Sequence, residues 1–162
     1  MNGPVRHAPA ESPGGSSGDE AVRLGVLDGY IGFHLRLAQA ASFRALQRRA
    51  GLPGLRPGWF GALSLIDDNP GITPLALSRA SGRDKSTVTP LLRDLVREQL
   101  VAREPIPTDR RSYALRLTPK GQQALGHLAA AGAAHEGELA AIAGDMKEQL
   151  LTLLRRIGTD LE

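Results

Sequence analysis

From Asp84 to Arg93 the chain reads Asp-Lys-Ser-Thr-Val-Thr-Pro-Leu-Leu-Arg. Lys85, Ser86, Thr87, Thr89 and Arg93 supply charge and hydroxyls on a short segment, together with an unusual Pro90. This is the chemistry of recognition. Hydroxyls exchange hydrogen bonds with phosphates and base edges, and a long guanidinium reaches a phosphate or a guanine edge. A second basic group follows at Asp109-Arg110-Arg111, ahead of an alternating strand. An arginine at a hairpin tip can enter a narrow minor groove, where negative potential is concentrated. Asp109 would hold one guanidinium by a charge-assisted bond. Reaction chemistry is missing by contrast. There is no G-x-S-x-G, no phosphate loop and no HExxH, and the four histidines are scattered. His34 and Asp28 lie too poorly on one helix face to act as a base pair. No enzyme activity, cofactor or metal is expected. The lack of cysteine excludes a disulfide framework, a thiolate metal site and a reactive-thiol sensor.

Positioning these groups requires a particular series of elements. Asp84 is a good N-cap for a helix running to about Gln99, whose buried face would carry Val88, Leu91, Leu92, Leu95 and Val96. A short helix precedes it, opened by Thr73 as cap and Pro74 at the first position, and closed at Ser81-Gly82. After it, Leu100 to Arg103 reads as a strand, Pro105 to Arg111 as a turn, and Tyr113, Leu115 and Leu117 as alternate residues of a second strand. Two helices joined by a glycine turn, then a hairpin with a basic tip, form a winged helix-turn-helix over 57–118.

Helices flank this unit. A long one is expected from about Glu20 to Arg49, with Leu27, Ile31, Leu35 and Ala38 on one face, stopped by Gly51-Leu-Pro-Gly54. Another starts with Pro57 in its first turn, directs Phe60, Leu63 and Ile66 inward and ends near Asn69. Thr118-Pro119 opens a last Ala/Leu-rich helical region, broken near Gly144-Asp145. Met1 to about Asp19, rich in Gly, Pro and Ser, reads as a flexible tail. The expected fold is mainly α with a small β-wing, the DNA-binding core lying between long N- and C-terminal helices over 20–50 and 119–162, which the family resemblance given below implies are dimerisation helices.

Composition agrees. Aromatics are scarce at 4%, which favours helix over strand. The net charge is +3, and its location is informative. Between Arg79 and Arg116 nine Lys/Arg face five Asp/Glu, a local excess of four that more than accounts for the whole chain's three. No run of apolar residues is long enough to span a membrane, and the N-terminus has no basic-then-apolar leader. A soluble, cytoplasmic protein is expected.

Residues Leu75 to Gly121, LALSRASGRDKSTVTPLLRDLVREQLVAREPIPTDRRSYALRLTPKG, resemble the core of the MarR family. The family's wing pattern of D-x-R, then L-T-x-x-G, stands here as Asp109, Arg111, Leu117-Thr118 and Gly121. The preceding LVAR matches its first wing strand, with Arg103 at a commonly basic place. Looser resemblance covers about Glu20 to Glu162. It implies a homodimer whose terminal helices interlock and whose winged domains grip successive half-sites of double-stranded DNA, as a sequence-specific transcription regulator and commonly a repressor. Pro90 departs from a regular recognition helix, since an interior proline loses a hydrogen bond and costs up to ~3 kcal/mol. TVTPLL also resembles the peroxide-sensing branch, but that branch needs a cysteine in its first helix.

The resemblance further implies a small-molecule effector bound between the first two helices and the dimer-forming helix. Tyr30, His34, Trp59, Phe60 and Leu63 would line that pocket. GRDKST followed by TP looks like a subgroup tied to aromatic-acid degradation, whose ligands include hydroxycinnamates or their CoA thioesters. Arg36, Arg44, Arg48, Arg49 and Arg56 offer cations to such an acyl-CoA, although a solvated helix face or extra DNA phosphate contacts explain them more simply. Two other readings compete. One is a winged helix used only for protein interaction, which would have little reason to keep a basic wing. The other is non-specific architectural DNA binding, which predicts similar affinity for any duplex and a steep salt dependence.

Overall fold

Hydroxyl and carboxylate caps open three of the helices, and glycines close the joints between them. In the computed structural model residues 22–51, 54–107 and 109–161 are described. The tail expected over 1–19 lies outside them. The chain divides into two compact units, Met1–Arg36 and Leu37–Glu162.

In the first unit a single helix from Glu20 was expected, and the described part differs. Gly25–Gly29 form a 3-10 segment, Tyr30 is extended, and α1 spans Ile31–Ala50. The apolar spacing of Leu27 and Ile31 is real, but glycines interrupt it. Gly25 sits at φ +58°, and glycine in a helix costs about 1 kcal/mol relative to alanine.

The second unit contains the remainder of α1, then α2 (Trp59–Asp68), α3 (Pro74–Ala80), α4 (Lys85–Arg97), β1 (Val101–Ile106), β2 (Asp109–Leu117), α5 (Pro119–Ala143) and α6 (Lys147–Asp160). Pro57 falls in a turn before α2, because Gly58 at φ +87° takes the N-cap position. Leu55, Leu63, Ile66, Leu77, Leu92, Leu95, Leu100, Leu115 and Leu128 share one core. Fully burying such a side chain stabilises by roughly 1.5–3 kcal/mol. The α5 helix ends where expected, and a 3-10 turn over Gly144–Met146 leads into α6.

β1 and β2 are longer than the sequence suggests and reach into the predicted turn. They pair antiparallel from Val101 opposite Leu117 to Pro105 opposite Tyr113, and the register shifts before Ile106 meets Asp109. A two-stranded ribbon has only edge strands, so a proline without an N–H is tolerated there. Gly71 and Ile72 add to the ribbon. Gly71 N–H donates to the Leu115 carbonyl at 2.9 Å, and Leu115 N–H donates to Ile72 at 3.0 Å. This pairing was not legible in the sequence, because Asn69-Pro70-Gly71 reads only as a turn.

Among the described residues no helix is long and apolar enough to cross a membrane. None of their His, Asp and Glu residues cluster in a way that would hold a metal ion.

Candidate nucleic-acid interface

The helix pair α3–α4 is fixed by its own polar residues. Thr73 Oγ1 accepts from Ala76 N–H at 3.2 Å, and Pro74 occupies the first helical position as expected. Gly82, at φ +58°, makes the turn between the helices. Ser78 locks that turn, since its hydroxyl donates to the Arg83 carbonyl while its own carbonyl accepts from Arg83 N–H at 3.1 Å. Asp84 Oδ1 then accepts from Thr87 N–H at 2.8 Å to cap α4.

Amphipathic spacing orients α4. Val88, Leu91, Leu92 and Leu95 are buried in the core. Lys85, Ser86, Thr87, Thr89 and Arg93 are exposed on the other side. Neither Lys85 nor Arg93 has a carboxylate partner among the described residues, so their charges face solvent. Pro90 is half-buried, and the helix continues through it to Arg97. The bond it forgoes is the one its N–H would make to the Ser86 carbonyl one turn back, at an exposed residue where water can satisfy the oxygen.

Two details change what the start of α4 can do. Ser86 hydroxyl donates to Asp84, and Thr89 hydroxyl donates to the Lys85 carbonyl at 2.8 Å. With those protons engaged, the oxygens are free chiefly to accept, which suits exocyclic amino groups of adenine or cytosine better than phosphate. The Ser86 hydroxyl and Thr87 N–H together hold the Asp84 carboxyl below the usual carboxylate range. An ionised cap already occupies the helix N-terminus, so it is not the open phosphate site that position alone suggests. Lys85 is the group there with charge to offer a phosphate.

The wing is tied to the end of α4. Thr118 N–H donates to the Leu100 carbonyl at 3.1 Å, and its hydroxyl donates to the Gln99 carbonyl at 2.6 Å while accepting from Gly121 N–H at 3.0 Å. Lys120 Nζ donates to the Glu98 carbonyl at 2.8 Å. A Cβ on Gly121 would lie 2.0 Å from the Leu100 oxygen, so only glycine fits. This explains the L-T-x-x-G pattern: threonine caps α5, and glycine lets α5 start against the backbone that leaves α4. On the ribbon Arg103 lies over the Tyr113 ring, 4.7 Å from its centroid, and Arg116 pairs with Glu104 at 2.8 Å. The backbone of Asp109, Arg110 and Arg111 begins β2 at the far end of the hairpin, as a basic wing tip requires. Their side chains, including the proposed Asp109–guanidinium bond, lie outside the described residues.

Sequence reasoning missed Asp94. It lies on the inner side of α4, 5% exposed, and pairs with Arg97 at 3.0 Å and with Arg56 from the segment before α2. A polar residue inside the Leu91–Leu95 stripe was the available signal.

The five expected effector residues are distributed over both units. In the first, Tyr30 and His34 are exposed, and His34 Nε2–H donates to the Asp28 carbonyl at 2.7 Å. In the second, Leu63 is fully buried in the core, while Phe60 and Trp59 are half-buried against it. A Cβ on Gly132 would lie 2.8 Å from the Phe60 ring, so α5 packs closely on α2 there. Trp59 lines an apolar cleft, and its indole nitrogen is buried without a partner.

Comparison with known proteins agrees with this geometry. The MarR family model matches residues 57–113. A candidate transcriptional regulatory protein for the hcr operon of Thauera aromatica is 36% identical over 135 residues, covering 82% of this chain and 81% of that protein. The transcriptional repressor CouR, bound to a 23-mer DNA duplex, is 30% identical with a TM-score of 0.73, over 84% of this chain and 97% of the repressor. CouR bound to p-coumaroyl-CoA gives 27% identity and a TM-score of 0.75, over 85% of this chain and 98% of that one. The PcaV regulator of Streptomyces coelicolor, in complex with its natural ligand, shares the fold at 23% identity and a TM-score of 0.75, over 88% and 99% of the two chains. With its exposed α4 face, its wing locked at Gly121 and this shared sequence, the chain belongs to the MarR family and is a winged-helix transcriptional regulator, not an enzyme.

Proposed function

We infer that the chain binds a palindromic operator in double-stranded DNA as a homodimer, acts as a repressor in the cytoplasm, and is released by a small aromatic acid or its CoA thioester. The observation that carries the DNA part is the exposed face of α4. Lys85, Ser86, Thr87, Thr89 and Arg93 point away from the core, next to a wing fixed to the same helix. Arg103, exposed on β1, adds a cation on the ribbon, and we assign Asp109, Arg110 and Arg111, at the start of β2, to the same DNA contact. The half-buried Pro90 sets the outline of α4 between Thr89 and Arg93.

Homodimerisation is supported by apolar side chains left in water. Ile31 is 71% exposed in the first unit, and Ile142, Leu150, Leu153 and Leu154 are exposed on α5 and α6 of the second. Exposed apolar surface on long helices marks an association face. The effector reading draws support from the repressor CouR, whose structure holds p-coumaroyl-CoA, and from the aromatic residues Tyr30, His34, Trp59 and Phe60, with Leu63 behind them in the core.

Fluorescence anisotropy on the duplex upstream of the chain's own gene, with a scrambled duplex and a salt series alongside, tests the reading. A preference of at least ~10³ for the native duplex is expected. Equal binding to both would replace the operator reading with architectural DNA binding. No binding at low salt would favour a protein-interaction module.

A further inference from the structure

The outer side of the winged unit holds a hollow whose lining does not match the charge around it. Between the start of α3, the first half of α4 and the ribbon, Leu75, Val88 and Tyr113 wall a space of about 300 Å³ together with Ser78, Lys85 and Thr89. Leu75 is 60% exposed, while Leu77 two residues on is enclosed, so Leu75 points out of the core. The hollow joins the exposed face of α4 to β2, and a duplex lying across both would cover it.

The hydroxyls that α3 and α4 contribute have already committed their protons. Ser78 donates to the Arg83 carbonyl, and Thr89 donates to the Lys85 carbonyl at 2.8 Å. A helical threonine has two χ1 rotamers, and a bond to the carbonyl one turn back selects one of them. With its oxygen turned to its own helix, Thr89 leaves its methyl group as the part directed outward. The two helices therefore offer carbon to the hollow, with a cation beside it, since Lys85 has no carboxylate partner among the described residues. In the major groove of DNA the apolar group on a base edge is the C5 methyl of thymine.

We propose that this hollow receives the C5 methyl group of a thymine, packed between Leu75 and the Thr89 methyl, while Lys85 meets a neighbouring phosphate. Leu75, on the helix before the recognition helix, then sets a preference for thymine at one position of each half-site. The Thr89 oxygen keeps a lone pair for an amino group, so an A·T pair suits both ends of that side chain. A cytosine at the same position would leave Leu75 facing water, and a guanine or adenine would bring no methyl to it. This rests on the operator-binding reading above and gives it a base.

The full-length protein is used to select duplexes from a random library. Each thymine of the selected sequence is then replaced in turn by deoxyuridine, which removes one methyl group and keeps the base pair, and affinity is measured by anisotropy. One thymine in each half-site is expected to be sensitive. Loss of one buried methyl corresponds to about fourfold in affinity, and to about 15-fold when both half-sites are changed. Leu75→Ala, and Thr89→Ser, which keeps the hydroxyl, should each bind the thymine duplex more weakly and lose most of the response to deoxyuridine at that position. Leu75 is exposed, so Leu75→Ala should also keep its unfolding midpoint. A response to deoxyuridine that is unchanged in both variants would place the methyl contact elsewhere and overturn the hollow, as would the lack of any sensitive thymine. Weakening of Leu75→Ala by the same factor on every duplex would make the hollow a seat for the sugar–phosphate backbone, which also overturns it. Sequence-specific binding stands in each of those cases. A library that yields no preferred sequence removes the operator reading and this inference together.

Discussion

The middle of the chain and its two ends use apolar residues in opposite ways. Between Leu55 and Leu128 most of them turn inward, Leu75 excepted, and Leu63, Ile66, Leu77, Leu92, Leu95, Leu115 and Leu128 are enclosed. On α6 no residue is buried, although Leu150, Leu153 and Leu154 recur at helical spacing. At the other end α1 buries only Ala50, and Val26, Tyr30 and Ile31 stand in water. A winged helix-turn-helix therefore completes its own core within one chain, while the terminal helices keep apolar surface for something else. Stability and assembly should separate when each region is mutated.

The largest effect is expected in the middle. Leu95→Ala removes a fully enclosed side chain from the inner face of α4 and should cost about 2–5 kcal/mol in urea unfolding. Leu153→Asp, on exposed α6, should change the stability of the chain itself by no more than about 0.5 kcal/mol. It should instead move the sedimentation profile from dimer to monomer and weaken DNA binding through lost pairing of half-sites. Equal unfolding penalties for the two variants would break the comparison, because α6 would then belong to the same cooperative core.

A finer division runs through α4 itself. One face secures the core and the other is the one proposed to meet DNA, so Arg93→Ala should leave the unfolding midpoint in place and weaken operator binding by about 1–3 kcal/mol. Arg111→Ala at the wing should weaken binding by a few kcal/mol at most, leave dimerisation intact, and reduce the salt slope by about 1 if its contact is to phosphate. A stability change equal to the binding change in Arg93→Ala would show that the outer face also supports the fold.

Much of this was legible because local chemistry and periodicity agreed. Thr73-Pro74, Asp84 and Thr118-Pro119 are caps whose hydrogen bonds form as their residue types require. The alternation of Tyr113, Leu115 and Leu117 identified β2, and Gly144 marked the break before α6. What escaped depended on partners far along the chain. Asp94 looks like a surface residue until Arg56 is placed beside it, and the Gly71–Leu115 pairing needs the wing folded against the α2–α3 turn. The 3-10 segment before α1 was hidden for a different reason. Leu27 and Ile31 keep a helical spacing even though Gly25 stands before them at φ +58° and the chain is extended at Tyr30 between them. Trp59 reads in the sequence only as an aromatic residue, and its orphaned indole N–H and the cleft beside it emerge only from packing.

The smallest expected effect sharpens the account of how α4 begins. Asp84 is fully exposed, and its carboxyl is held below the usual range first by the Ser86 hydroxyl and then by Thr87 N–H. A depressed folded-state pKa means that the ionised cap favours the folded chain above the carboxyl's ordinary range, and that this contribution is lost as pH falls through the lowered value. Ser86→Ala removes the leading cause, so the Asp84 carboxyl should titrate at higher pH in ¹³C NMR and the loss of helix should begin at a less acidic pH. Thr87 N–H remains bonded, so α4 should still form at neutral pH. DNA affinity should fall as well, because Ser86 lies on the exposed face proposed to read DNA. An unchanged Asp84 titration would mean that the backbone donor alone sets the cap, and Ser86 would then be free to rotate its hydroxyl toward a phosphate rather than present its oxygen to a base.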